Sequence, residues 1–113
     1  MLRRVFAVGR SAGIAVAIGC ASPTLPLPPP EVPAQEIADA DHIKLVAGCG
    51  AAEANATIVV ENQHAPADQA VGGAIASDCG SWDATVFAHS GDALTIIQLF
   101  GATSSLPTVV QVR

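Results

Sequence analysis

Apolar and polar side chains alternate with a period of two through the C-terminal two-thirds of this chain, and turn residues interrupt the alternation at regular intervals. A period of two puts successive side chains on opposite faces of an extended strand. Residues 43–47 read as a first short strand. Residues 57–61 (TIVVE) are β-branched up to Glu61, with Ile58 and Val60 on one face. Residues 71–77 form a weaker strand carrying Gly72 and Gly73, a pair that marks a bulge or a close backbone approach. Asp78-Cys79-Gly80 turns the chain into residues 81–87, where Trp82, Ala84 and Val86 alternate with Asp83 and Thr85 and so face a core. Ser90-Gly91-Asp92 turns it again into residues 93–100, which are apolar on both faces except at Gln98. After residues 101–105, a strand over 108–112 closes the series. The Ala-rich stretch 51–56 is too short for a stable helix and runs into a strand. The pattern predicts an all-β domain over residues 43–113, with five to seven short antiparallel strands in a small β-sandwich.

The N-terminal third follows different rules. Residues 1–10 carry Arg3, Arg4 and Arg10, and residues 11–19 are small and apolar, the order of a secretory signal peptide. The uncharged run after Arg10 is about half the ~20 residues that a spanning helix needs. Residues 22–41 hold six of the eight prolines. Proline lacks an amide donor and fixes φ, so this stretch predicts a disordered, polyproline-like spacer up to ~60 Å long. Asp39 and Asp41 lack the further oxygen ligands of a calcium loop and read as a solvated junction.

Ala17-Ile18-Gly19-Cys20 resembles the lipobox of bacterial lipoproteins, in which small residues precede a cysteine that is lipidated on sulfur and becomes the N-terminus. The resemblance implies a lipoprotein signal peptide over 1–19, lipid attachment at Cys20 and a linker over 20–42. Ala17 stands where Leu is usual. Ala21 after the cysteine implies, by that family's sorting rule, the outer membrane in a host that has one. Arg3-Arg4-Val5-Phe6 also resembles part of a twin-arginine export signal. In the domain, Gly50-Ala51, the segment 55–62, Asp78-Cys79-Gly80-Ser81-Trp82, Gly91-Asp92-Ala93-Leu94 and the segment 101–107 resemble the turn and strand motifs of bacterial immunoglobulin-like (Big-type) modules. That resemblance implies an immunoglobulin-like fold and is nearly silent on function. Cys79 departs from it, standing where a polar turn residue is usual.

Composition sharpens this division. The whole chain is 50% hydrophobic with a mean hydropathy of +0.46 and a net charge of −5. From Cys20 onward two basic residues, Lys44 and Arg113, stand against ten acidic ones, a net of −8. A basic nucleic-acid-binding surface is thereby excluded. Of the 45 hydrophobic residues in that part, 18 are Ala, so the core is thin. The three cysteines are odd in number, and assigning Cys20 to lipid leaves a pair. If the strands run alternately down and up, Cys49 after the first and Cys79 after the third reach the same end, which suits a disulfide in an oxidising compartment. Two free thiols are the alternative. A zinc site would need a Cys-x-x-Cys or paired histidines that the spacing does not offer.

Chemistry-bearing patterns are sparse. His42, His64 and His89 fall in junctions or turns, and no nucleophile elbow, zinc-protease motif or phosphate loop is present. His89-Ser90-Gly91-Asp92 has the residue types of a triad, but neighbours in one tight turn read as a polar hairpin. Asn55-Ala56-Thr57 is a formal glycosylation sequon at a strand start. The sequence therefore predicts a non-enzymatic protein with no cofactor, metal or nucleic acid. It is expected in the cell envelope, held to the membrane through Cys20, with an envelope protein or glycan as partner. The alternative is a small secreted inhibitor or ligand-binding protein on the same fold, with a hot spot in the loop over residues 63–69.

Overall fold

The computed structural model describes residues 27–113. Eight strands form two antiparallel sheets. The first sheet contains β1 (Ala34–Asp39), β2 (His42–Ala47) and β5 (Trp82–Phe87) in the order β1-β2-β5. The second contains β3 (Thr57–Asn62), β4 (Val71–Ile75), β6 (Ala93–Phe100), β7 (Thr103–Ser104) and β8 (Thr108–Gln111). Its order is β4-β3-β6, and β7 and β8 both pair with the far side of β6. One 3-10 turn, Ala67–Gln69, is the only helical element among the described residues. The protein is an all-β sandwich, as the alternation predicts.

The core lies between the sheets. Ile43, Leu45 and Ala47 point inward from β2, Ile58 and Val60 from β3, Trp82, Ala84 and Val86 from β5, and Leu94 and Ile96 from β6. Each set occupies every second position, so a one-residue slip of any strand would turn its whole apolar face outward. Two polar residues share the inward phase. Asn62 extends the Ile58–Val60 series, and Gln98 extends Leu94–Ile96.

Close backbone approach explains two glycines. A Cβ on Gly73 would stand 2.4 Å from the Ile58 carbonyl oxygen, so only glycine lets β4 lie this tightly on β3. Gly80, at φ +85°, turns the chain where a Cβ would meet the Ala52 carbonyl oxygen at 2.1 Å.

Two expectations are corrected. The folded unit starts before residue 43, because β1 pairs with β2 from Ala34↔Val46 to Ile37↔Ile43. All of β1 except Gln35 is exposed. A strand held by its backbone ladder and the Gln35 amide, burying no apolar face, has no hydrophobic period to read. Its register shifts between Ile37 and Asp39, and Glu36 sits on it, both of which discourage edge-to-edge association. The strand count is eight rather than five to seven, the additions to the six legible spans being β1 and the two-residue β7.

Candidate functional site: the two ends of the sandwich

Cys49 follows β2 and Cys79 lies between β4 and β5, so both reach the same end of the sandwich. Their sulfurs are 2.08 Å apart and their Cα atoms 4.9 Å apart, closing a 30-residue separation with a disulfide. The two loops also zip through their backbones. Gly50 N–H donates to the Cys79 carbonyl at 2.6 Å and Ala52 N–H to the Gly80 carbonyl at 3.1 Å. Within the second loop the Ser77 hydroxyl accepts from Ser81 N–H at 3.1 Å and lies 2.7 Å from the Ser81 hydroxyl.

The proline-rich segment arrives at this end. Residues 27–33 are not a free spacer but lie against the domain, with Pro30 and Pro33 buried. The Gln98 side chain holds the segment to the disulfide loop. Its Nε2 donates to the Pro28 carbonyl at 2.7 Å, and its Oε1 accepts from Glu53 N–H at 2.7 Å. Glu31 N–H donates to the Ala51 carbonyl at 3.0 Å, and the Thr108 hydroxyl donates to the Pro30 carbonyl. Further along, Gln35 Nε2 donates to the Gln111 carbonyl at 3.0 Å and Gln35 Oε1 accepts from Arg113 N–H at 3.1 Å. Proline carbonyls have no intrastrand partner, so a strap of this kind offers acceptors that the domain must meet with side-chain donors. Cys20, the leader and the twin-arginine motif lie outside the described residues.

The opposite end is polar and carries the histidines. His42 Nδ1 and Asp39 Oδ1 are 2.8 Å apart, and His89 Nε2 and Asp41 Oδ1 are 2.9 Å apart. Phe87 lies between the two rings, with centroids 5.7 Å from His42 and 5.0 Å from His89. The Asp41 backbone N–H, and then the His42 ring, hold the Asp39 carboxyl below its usual range. The hydrogen bond to Asp39 in turn raises the His42 pKa. Asp92 is lowered chiefly by the backbone N–H of His89 and then by the Asn62 amide, which donates to its Oδ2 at 3.0 Å. Buried Asn62 also donates to the Phe87 carbonyl at 2.9 Å and accepts from His64 N–H at 2.9 Å, so its polar atoms are satisfied.

The residue types of a triad at positions 89–92 do not assemble, because Asp92 is engaged by the His89 backbone while the His89 ring faces Asp41. Among the described residues no three or more His, Cys, Asp or Glu side chains converge as a metal ion requires, and no helix is long and apolar enough to cross a membrane. The loop over residues 63–69 exposes Gln63, His64, Asp68 and Gln69 and no large apolar side chain. Trp82 faces the core. Sequence reasoning missed Gln98 and Asn62 as buried polar anchors. Extending the period-two phase of Ile96 and Val60 by one step would have found both. No protein-family model, curated protein or solved structure matches this chain.

Proposed function

We propose that this protein is a non-enzymatic, lipid-anchored component of the cell envelope that presents one immunoglobulin-like sandwich at a membrane surface through Cys20. The docked strap is the observation that carries this reading. Six residues separate Cys20 from Leu27, which span at most about 25 Å of contour. A lipid on Cys20 then keeps the disulfide end beside the membrane and directs the Asp–His end outward. The tether is thus far shorter than the ~60 Å that a free spacer over residues 22–41 implies. The disulfide supports export to an oxidising compartment. The outward end offers two carboxylate–imidazole pairs and one aromatic ring to an envelope protein or glycan.

Intact-mass measurement of the protein extracted from membranes tests the reading. Acyl mass on a chain beginning at Cys20 is the expected result. An unmodified soluble chain would overturn the anchor and return the protein to the secreted class.

A further inference from the structure

The two sheets differ sharply on the faces they turn outward. The outer face of β1-β2-β5 carries Glu36, Lys44, Asp83 and Thr85, with Val46 and Phe87 half-buried among them, the mostly polar surface usual for an antiparallel sheet open to water. The outer face of the other sheet does not follow this rule. Its register stacks three cross-strand rows: Ile75–Thr57–Leu99, Gly73–Val59–Ile97, and Val71–Glu61–Thr95–Val109. Six large aliphatic side chains lie on it. Ile75 is 74% exposed, Val109 66% and Val71 61%, while Val59, Ile97 and Leu99 are half-buried by their neighbours. Glu61 is the single charged group in these rows.

We infer that this face is a self-association surface, on which a second copy of the same chain packs sheet against sheet. Charge selects the occupant. The chain from Cys20 onward carries −8, so most of its surface repels a second copy. These rows hold one carboxylate per copy and are the place where two copies meet with least repulsion. The outer face of the other sheet is excluded as the mate, because it would bury Lys44, Glu36 and Asp83 against aliphatic side chains. Stacking is also open to it, since two sheets pack face to face at a ~10 Å spacing with their strands about 30° apart, and Gly73 adds no side chain to the middle row. The five residues of β4, six of β3, eight of β6 and four of β8, each covering about 4.8 Å by 3.3 Å of sheet, give a face of roughly 360 Å² in projection. Two copies therefore bury about 700 Å² in projection, the scale of a weak, reversible interface rather than an obligate one. A pairing of one patch with itself closes as a two-fold dimer and leaves no open site for further growth.

The test uses the full chain in the cells that make it, with two differently tagged copies expressed together. A photo-crosslinking p-benzoylphenylalanine replaces Val109 or, as a control on the opposite sheet, Thr85. The expected result is a crosslinked band carrying both tags from position 109 and none from position 85. Ile75→Lys and, separately, Val71→Lys should remove that band by at least tenfold while leaving the melting temperature within a few degrees. No band from position 109, a band joining one tag to a different protein, or a dimer band unaffected by both lysine variants would each overturn the inference. None of these outcomes depends on whether Cys20 carries lipid.

Discussion

Gln98→Leu isolates what the strap contributes. Gln98 is 2% exposed and lies in the inward phase of β6, so leucine suits the site in size and in strand preference. The substitution deletes the bond from Nε2 to the Pro28 carbonyl and the bond from Glu53 N–H to Oε1. Each is an ordinary neutral hydrogen bond with a net contribution of about 0.5–1.5 kcal/mol. Pro28 and Glu53 are themselves exposed, so water reaches their orphaned groups once the strap lifts, and the larger penalty of a buried unpaired group does not apply. The expected loss is about 1–3 kcal/mol. A domain of this size has about 4–13 kcal/mol in total. With a urea m-value of about 1 kcal/mol/M, the unfolding midpoint falls by roughly 1–3 M. The strap should also detach as a unit. Thr108→Val removes the second anchor, at Pro30, and the double variant should cost less than the sum of the two single variants. Cleavage by a Glu-specific protease after Glu31 should accelerate in Gln98→Leu, because the Glu31 N–H bond to Ala51 breaks with the strap. Additive costs with unchanged cleavage at Glu31, or a midpoint shift below about 0.3 M, would refute the account.

Replacing Cys49 and Cys79 together by alanine should cost about 3–4 kcal/mol in the chain-entropy model for a loop of about 31 residues. Thermal unfolding of the variant beside the parent checks it, and a cost below about 1 kcal/mol would show that the backbone bonds between the loops already close the end. Stability should also vary with pH in a defined window. Asp39 and Asp92 are held below their ordinary 3.8, so their contribution is present above pH 3.8 and is lost as pH falls through the lowered folded values. His42 is raised above 6.5, so its contribution is complete below pH 6.5 and is lost as pH rises through the folded value. Denaturation midpoints across pH 2–9 should thus show a plateau between 3.8 and 6.5, and His42→Gln should flatten the alkaline limb and shrink the Asp39 part of the acid limb while sparing the part that Asp92 contributes. A parent protein with no alkaline limb would count against the His42–Asp39 pair. Trp82 is buried, and its Nε1 has no hydrogen-bond partner. Trp82→Phe removes that orphan donor along with some packing and should cost less than about 1.5 kcal/mol, against about 3–5 for Trp82→Ala. Equal losses in the two variants, read by chemical denaturation, would mean that the indole nitrogen is satisfied.

Strand β6 shows where the sequence is sufficient and where it stops. Leu94, Ile96 and Gln98 on one side and Thr95, Ile97 and Leu99 on the other read as a strand without ambiguity, because length and composition decide the type. The alternation also locates the inward faces of β2, β3 and β5, since each buries one phase against a shared core. What it cannot rank is two apolar phases on one strand. In β6 the phase containing the lone glutamine goes inside, and the phase containing only Thr95 as a polar break is left half-exposed. The decision is made by partners far away in sequence. Pro28 and Glu53 supply the two hydrogen bonds that make a buried amide tolerable, 70 and 45 residues away. The strap was illegible for the complementary reason. Its prolines carry no period, and its docking depends on Gln98 and Thr108, neither of which is marked locally as an anchor. The two unread features are thus one feature. Turning Gln98 inward gives the proline strap its donor, and it also leaves Ile97 and Leu99 on the outer face, where they join Val59, Ile75, Val71 and Val109. The same choice of phase that ties the N-terminal segment to the sandwich therefore creates the apolar surface that a second copy can cover.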